Sequence, residues 1–502
     1  MTKHYPMKLT LHSDLSCLPI AQLFVRETAR SWGCPEADLY RFDLIIEEAI
    51  TNVIDYAFEA GEDSTFDILC DPISDGIRVI IRERGLPFDP NQLPRYNAEA
   101  DIDSRASRGM GIFLMKEMMD EVTFTNLGAG GKETCFVKHF QTPVPVEHKE
   151  AMLAPDLPAP APGQPKREAV SYTVRLMEPS EAIEISKCAY RCHGYTFFTD
   201  HIYYPEKIVE MNRDGHMVSA VAVTETGKFM GHAALVYPFP GSRIAELTYI
   251  FVNIEYRGQG CMDRLCNFLY TAPKPSPLNG IYTYSVTNHV FTQRVMAKMD
   301  IRDCGILVAT SPVSWQFRGI DGDATQRISV ALSYRYLTEP KPLDLYPPQA
   351  HLDIVRALYR NLSAEHRFPG PAGNLPCLPE GPSEIETEVF GPEGCAEVRI
   401  IDPRKEIVRE VRRILRDLCL KQISAIQLFL RLEDPNTFFL GPEFETMGFF
   451  FAGIMPGEMA GDALILQYLN NVPFDYGKVQ AYTPVAKRIL EYIRACDPNE
   501  AI

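Results

Sequence analysis

The segment Phe42–Ile54 constrains the fold of this chain more than any other, because its apolar residues recur at helical spacing. Glu48 and Asn52 are four residues apart, so both project from one face of the predicted helix. An amide oxygen can ligate Mg²⁺, and a carboxylate one turn earlier can orient or deprotonate an attacking hydroxyl. The pair predicts nucleotide chemistry, although Glu and Asn at this spacing are also common on solvated helices.

Two further segments in the first 140 residues have features that suit adenine and phosphates. A predicted strand over 76–82 runs into Glu83 and Gly85, where a carboxylate can accept a hydrogen bond from the adenine amino group. A polar stretch then leads to Gly109 and Gly111 at the start of a helix, where backbone N–H groups and the helix dipole attract anions. Together the three segments predict one nucleotide site.

In order and spacing, these segments resemble the N, G1 and G2 boxes of the GHKL ATPases, over about residues 8–140. The short domain resembles the anti-sigma-factor serine kinase branch, with Glu83 where Asp is usual and Pro87 replacing a glycine. The resemblance implies a domain that binds ATP and Mg²⁺ and phosphorylates a Ser or Thr of a STAS-domain anti-anti-sigma factor. It implies a catalytic Glu48, the metal ligand Asn52, and the nucleotide-binding residues Glu83, Gly85, Arg105, Arg108, Gly109, Gly111 and Thr134.

The resemblance also bears on partners, because the first helix of such kinases contributes partner contacts, and Arg26 lies in that helix here. A sigma factor as a second partner and a homodimer are both compatible with it. The net charge of −16 argues against nucleic acid as the main partner. The sequence contains no run of about 18 apolar residues, and its N-terminus lacks a charged-then-apolar signal pattern, so we expect a cytoplasmic protein. Thirteen scattered cysteines without a C-x-x-C pair predict buried, reduced thiols.

Proline-rich segments suggest the domain boundaries. Seven prolines fall between Pro143 and Pro165, a composition that favours an extended spacer. A further proline-rich stretch follows residue 340, and another over 368–382 is expected to be a long loop. We therefore predict domains over 1–142, 168–339 and 340–502, with a linker over 143–167.

The middle domain contains a second strand-to-helix turn. Three predicted strands precede an apolar, β-branched strand over Ile244–Val252, and a helix begins after Gly258 and Gly260. Such a turn can cradle an anion with free backbone N–H groups, although R-x-x-G alone is also a frequent simple turn.

Ala245–Val252 followed by Tyr256–Gly260 resembles motif A of the GNAT acetyltransferases, and Val286–His289 resembles the next element of that fold. The resemblance implies that acetyl-CoA binds here, beside a strand that splays from its neighbour. Glu246 is a candidate general base that acts through water on an acceptor amine; the alternative is a strand-edge carboxylate that faces solvent. The residues implied for acetyl-CoA binding are Ile250, Val252, Arg257, Gly258 and Gly260.

Two positions depart from the GNAT pattern. Met262 replaces a residue that is usually small. The tyrosine that often serves as general acid is missing, and Val295 and Met296 lie near its position. Tyr284 or His289 could substitute for it.

The last third resembles a second, degenerate GNAT-like domain. Phe444–Gly453 resembles the helix-to-strand step late in that fold, but no R-x-x-G-x-G loop occurs in this part of the sequence. An apolar stripe over 407–418 predicts a helix whose arginines form a solvated face.

The whole is expected to be an α+β multidomain protein: a GHKL α/β sandwich ATPase domain, a GNAT-fold domain and a degenerate GNAT-like domain. Two functions remain open. The first is an ATP-dependent protein kinase joined to an N-acetyltransferase. The alternative, favoured by Pro87, Met262 and the missing tyrosine, is a non-catalytic scaffold whose partner affinity depends on nucleotide.

Overall fold

The computed structural model describes residues 5–58, 64–73, 75–87, 110–140, 170–318, 325–373, 378–459 and 461–500. Its contacts group Met1–Arg167 with Glu178–Val209 as one unit, and Glu168–Met177 with Glu210–Ile502 as another. The predicted linker 143–167 lies outside the described residues, and the predicted domain boundaries stay predictions. Within the described part of the chain, no helix is long and apolar enough to cross a membrane.

The first unit is a sheet of five strands with helices packed on it. The strands are antiparallel in the order β1-β2-β3-β5-β4. The elements are β1 (Met7–His12), α1 (Leu18–Ser31), α2 (Glu36–Tyr56), β2 (Thr65–Ile73), β3 (Gly76–Glu83), α3 (Met110–Met118), β4 (Glu121–Asn126) and β5 (Lys132–His139). In the same unit, α4 (Ala182–His193) follows later in the chain.

The predicted helix over 42–54 is the central part of α2. Glu36 and Asp38 lie in its first turn, where negative charge complements the helix dipole. Its buried stripe packs into the same core as alternate residues of β3, which turn every second side chain inward. The α2 residues of this core are Leu39, Phe42, Ile45, Ile46, Ala49, Ile50 and Val53. This packing leaves the Glu48 side of α2 outside the core.

The second unit contains one sheet of twelve strands, in the order β13-β14-β15-β17-β16-β11-β12-β10-β9-β8-β7-β6. Its strands are β6 (Tyr172–Leu176), β7 (Met217–Thr224), β8 (Phe229–Val236), β9 (Ile244–Val252), β10 (Gly280–Val286), β11 (Arg302–Ser311), β12 (Ile328–Tyr336), β13 (Glu384–Phe390), β14 (Cys395–Asp402), β15 (Ala425–Arg431), β16 (Phe450–Met455) and β17 (Ala463–Leu469). The helices after α4 are α5 (Pro205–Arg213), α6 (Cys261–Thr271), α7 (Phe291–Lys298), α8 (Leu352–Asn361), α9 (Ile407–Leu420), α10 (Thr437–Glu445) and α11 (Pro484–Cys496).

The sheet consists of two halves with the same strand arrangement. In the first half, β9 and β10 are parallel, and β12 lies between β10 and β11. In the second half, β14 and β15 are parallel, and β17 lies between β15 and β16. The order β8-β9-β10-β12-β11 therefore repeats as β13-β14-β15-β17-β16, which matches the expectation of a second, related domain.

The two halves meet through β11 and β16, where Gly305 pairs with Gly453. A side chain on Gly453 would begin 2.5 Å from the α-carbon of Gly305, and Gly453 has a φ of +155°. Only glycine allows the strands to approach so closely with this backbone. Nearby, the Gln467 side chain bonds to both the N–H and the C=O of Val308.

Most elements predicted from periodicity are confirmed. The bounds of β9 are those predicted, and the arginines at 409, 412, 413 and 416 are exposed on α9. Among the described residues all cysteines are free, as expected. The elements that were not predicted include α5, α8, α11 and the strands β11, β12, β13 and β14.

Candidate active sites

The structure brings two of the predicted nucleotide boxes together at α2 and α3. Glu48 is half-buried and Asn52 is exposed on the same face of α2. A side chain at Gly111, in the first turn of α3, would begin 2.6 Å from Oε2 of Glu48 and 3.6 Å from Nδ2 of Asn52. Burial, with the neighbouring charge of Glu47, raises the pKa of Glu48. Arg105, Arg108 and Gly109, predicted for the same site, lie outside the described residues.

Glu83 lies at the buried end of β3, and both of its carboxylate oxygens have protein partners. Oε1 pairs with Lys132 Nζ at 2.7 Å, and Oε2 accepts a hydrogen bond from the N–H of Gly85. Lys132 is the cross-strand partner of Glu83 on β5, two residues before Thr134. Lys132 was not predicted, since its position depends on a register that sequence periodicity does not reveal.

A later segment of the chain contacts the same strand end. The Tyr195 hydroxyl donates to the carbonyl oxygen of Gly85 at 2.6 Å, and the Arg84 guanidinium lies over the Tyr195 ring. Asp200 accepts from the N–H of Ala129 at 2.6 Å. We name residues 195–204 the returning segment. Its Tyr195 contacts Gly85 across 110 positions of the chain, and its Asp200 contacts Ala129 across 71, so no local pattern could have indicated either contact.

On α1, Arg26 donates to Asp43 of α2 at 2.9 Å, so its guanidinium is held between the two helices. The same helix leaves Ile20 and Leu23 more than half exposed.

The predicted acetyl-CoA loop has an open strand beside it. The strands β9 and β10 pair only at Ile244–Glu246 with Gly280–Tyr282, and they separate beyond these residues. Opposite β8, the strand β9 bulges near Tyr249, which has a φ of +51°. A bulge leaves backbone groups outside the ladder. The separation is the splay that the GNAT resemblance implies, and Ile250 and Val252 are half-buried along it.

Gly258 and Gly260 form the turn into α6 with φ values of +82° and +72°, and a side chain on either would enter open space. The first N–H groups of α6 have no partner within the helix. Met262 is partly buried and packs against the neighbouring hydrophobic core. Arg257 donates to the carbonyl oxygens of Val252 and Arg318, which holds the loop against the end of β9.

Glu246 is half-buried on β9, next to Tyr282 across the parallel pair. Burial raises the pKa of Glu246 to about 7, and the charge of Glu397 adds to the rise, while a hydrogen bond from Thr248 opposes it. The pKa of Tyr284 is also raised by burial, so this phenol keeps its proton. His289 is buried, and among the described residues neither ring nitrogen has a hydrogen-bond partner. Burial lowers the pKa of His289 to about 4, so its ring is uncharged at pH 7.

The second half of the sheet has no equivalent opening. The strands β14 and β15 pair continuously from Cys395 with Ala425 to Ile400 with Leu430. The chain then enters α9 through residues 403–406, which contain no glycine. A pantetheine arm therefore has no gap to enter here, in agreement with the prediction of a degenerate domain.

Comparison with known proteins finds similarities within the first unit. Residues 11–138 match the model of the histidine kinase-like ATPase domain. The serine-protein kinase RsbW of Oceanobacillus iheyensis is 26% identical over 111 residues, 21% of this chain and 70% of that protein. RsbW of Staphylococcus epidermidis is 31% identical over 96 residues, 18% of this chain and 60% of that protein.

Solved structures similar to this chain include an N-acetyltransferase from Staphylococcus aureus Mu50, with 17% identity and a TM-score of 0.27, covering 34% of this chain and 99% of that one. A spermidine N-acetyltransferase from Vibrio cholerae has 18% identity and a TM-score of 0.26, covering 33% of this chain and 92% of that one. Residues 11–138 are thus similar to the histidine kinase-like ATPase domain, in an α/β chain whose second unit has a sheet that splays between β9 and β10.

Proposed function

We propose that the first unit binds Mg·ATP and phosphorylates a Ser or Thr of a STAS-domain partner. The observation that carries this proposal is the position of Gly111, in the first turn of α3, beside Glu48 and Asn52 of α2. A carboxylate, an amide and a helix N-terminus therefore lie close together. Glu48 would orient or deprotonate the attacking hydroxyl, and backbone N–H groups near Gly111 would hold phosphate oxygens. The relatives that match this unit are serine-protein kinases, and the exposed Ile20 and Leu23 on α1 suit a protein partner.

The residues at this site fit a magnesium ion that arrives with the nucleotide. Mg²⁺ is usually held by one or two protein oxygens together with phosphates and waters. The exposed side chain of Asn52 offers such an oxygen, and Glu48 lies one turn before it. When bound, the ion would neutralise charge on the phosphates. Glu83, Gly85 and Thr134 would face adenine, with Lys132 balancing the charge of Glu83.

For the second unit we propose binding of acetyl-CoA and transfer of the acetyl group to an amine. Support comes from the turn at Gly258 and Gly260 beside the splayed end of β9. The N–H groups at the start of α6 would hold the pyrophosphate, and Ile250 and Val252 would line the pantetheine arm. Glu246 is the third of the three β9 residues that pair with β10. It would take the proton of the attacking amine through water.

The kinase proposal is tested on the full chain with [γ-³²P]ATP, Mg²⁺ and STAS-domain proteins from the same organism. We expect one of them to be labelled on a Ser or Thr. Asn52→Ala should remove the magnesium dependence of nucleotide binding in calorimetry. Glu48→Gln keeps the shape of the side chain, and it should lower phosphotransfer roughly 10²- to 10⁴-fold while nucleotide binding persists. Wild-type labelling by the Glu48 variant would show that this residue is structural.

The alternative is a nucleotide-gated scaffold without phosphotransfer. One observation favours it: both oxygens of Glu83 already have partners, in Lys132 and the N–H of Gly85. In that case nucleotide would change the affinity for the STAS protein without any label reaching it. Measuring partner affinity with and without Mg·ADP, beside the labelling assay, separates the two functions.

A further inference from the structure

The helix α9 has a row of positive charge on its outer side. Four exposed arginines at helical spacing lie on this side, and we name them the arginine row: Arg409, Arg412, Arg413 and Arg416. Arg409 lies 3.8 Å from Glu406, and the row has no other ion pair in the described part of the chain. In a protein of net charge −16, this row is a local excess of positive charge that an anionic surface can neutralise.

An exposed apolar residue continues the row. Leu420 lies four residues after Arg416, on the same side of α9. Its side chain is 72% exposed, the highest value for any large apolar residue among the described ones. Arginine is enriched in protein interfaces, and association at this side of α9 would withdraw Leu420 from water. The outer side of α9 therefore has the composition of a docking surface.

The strand β13 has a complementary row of negative charge. It is the outermost strand of the second half of the sheet, where it pairs with β14. Alternate residues of β13 are exposed glutamates on one side of the strand, and we name them the glutamate row: Glu384, Glu386 and Glu388. Glu388 lies 3.7 Å from Arg399, whereas Glu384 and Glu386 have no ion pair within the described residues.

The two rows are similar in length and opposite in charge. At 1.5 Å per residue, Arg409 and Arg416 are about 10 Å apart along the helix axis. At 3.4 Å per residue, Glu384 and Glu388 are about 13 Å apart along the strand. No ion pair joins the two rows within one copy of the described chain. Pairing of β13 with β13 of a second copy would bring glutamates together, which is unfavourable. The arginine row of a second copy has the charge that this strand needs.

We propose that two copies of this chain associate, with the arginine row of each copy against the glutamate row of the other. In such a two-fold pair the same contact occurs twice. Each ion pair between exposed side chains contributes little, so the dimer is weak and reversible. At about 0.15 M salt the Debye length is about 8 Å, which screens the repulsion between two negatively charged chains more than it screens charges in contact. The contact goes beyond the proposed activities, because it uses neither ATP nor acetyl-CoA.

The test reverses the charge of each row in the full chain. One variant, the α9 variant, carries Arg412→Glu, Arg413→Glu and Arg416→Glu. The other, the β13 variant, carries Glu384→Lys and Glu386→Lys. Sedimentation equilibrium at about 0.15 M salt measures the dissociation constant of each protein. We expect this constant to be at least about tenfold higher for either variant alone than for the wild type, because the two-fold arrangement counts every reversal twice.

An equimolar mixture of the two variants is the decisive sample. In a mixed pair, one contact has the native charges and the other has both signs reversed, so both contacts are attractive. We expect the mixture to associate at least about tenfold more tightly than either variant alone. Any other surface through which the chain associates is the same in all samples, so it cannot produce this recovery. A mixture that associates no more tightly than its components would overturn the proposal.

A control variant separates the contact from the change in net charge. Arg360→Glu on α8, with Lys487→Glu and Arg488→Glu on α11, changes the charge of exposed residues by the same amount as the α9 variant. We expect the control to associate like the wild type. An equal loss of association in the control would show that net charge, rather than the arginine row, is responsible. Melting curves establish that all variants are folded.

Other occupants of the arginine row are outcomes of the same experiment. The probes are phosphatidylserine vesicles for an anionic membrane and a DNA duplex for nucleic acid. Suppose that the wild type binds one of them, that the α9 variant does not, and that the reversals leave self-association unchanged. The row then serves that ligand, and the proposal of a second copy is overturned. A wild-type chain that stays monomeric up to millimolar concentration would overturn it as well.

Discussion

At the scale of single residues, the chain uses similar carboxylates in two environments. Glu48 lies beside a helix N-terminus, and Glu246 lies on a strand facing further carboxylates. In both cases burial raises the pKa, and the pKa of Glu246 rises to about 7. A carboxyl group with such a pKa changes its protonation state within the physiological range, which suits a general base.

This leads to a prediction about pH. Below pH 7 Glu246 is mostly protonated and cannot accept a proton, so the acetyl transfer rate should fall as the pH decreases through 7. Plots of the acetyl transfer rate against pH, from pH 5.5 to 9, should show this decrease in the wild type. In Glu246→Gln the decrease around pH 7 should be absent, and only the rise in rate due to deprotonation of the amine should remain. A variant with an unaltered profile would assign Glu246 a structural role.

At the scale of elements, the separation of β9 from β10 distinguishes the two halves of the sheet. We predict that Gly260→Val abolishes acetyl-CoA binding in equilibrium dialysis, because the new side chain occupies the open space of the turn. Gly227→Val is the matched control, since Gly227 also has a positive φ of +80° and open space around it. Both variants have similar backbone strain, about 1–2 kcal/mol. If both lose binding equally, strain rather than occupancy is the cause.

The returning segment leads to a prediction for the first unit. Tyr195→Phe removes the hydrogen bond to the carbonyl of Gly85 and leaves the ring in place. A single hydrogen bond of this kind changes an equilibrium by roughly two- to tenfold, so we expect Mg·ADP to bind more weakly by that factor. Tyr40→Phe, which alters an exposed phenol on α2, is the control. Unchanged affinity in calorimetry would show that this contact does not affect the nucleotide site.

At the scale of the whole molecule, sequence periodicity and short motifs predicted most elements and the proximity of Gly111 to Glu48. They could not predict Lys132 or Tyr195. Each of these depends on strand register or on a contact between distant parts of the chain, which no local period encodes. The roles of Glu83 and Arg257 stay predictions, because both side chains have protein partners in the structure.

The junction of the two half-sheets provides a further prediction. Gly453→Val would force β16 away from β11, since its side chain would begin 2.5 Å from Gly305. We expect a lower melting temperature and loss of acetyl-CoA binding, while Mg·ADP binding by the first unit persists. Gly370→Val, a change into open space without a positive φ, should have little effect on melting. Equal melting temperatures for the two variants would show that the junction tolerates a side chain.

The returning segment also has a consequence for synthesis on the ribosome. The last strand of the first sheet ends at His139, but Tyr195 is made 56 residues later. At about 5–20 residues per second, this delay lasts roughly 3–11 s. During that interval the nascent sheet and its helices can form while the edge at Gly85 still lacks its contact with Tyr195. Nucleotide in the cell can therefore bind near Gly85 before Tyr195 has been synthesised.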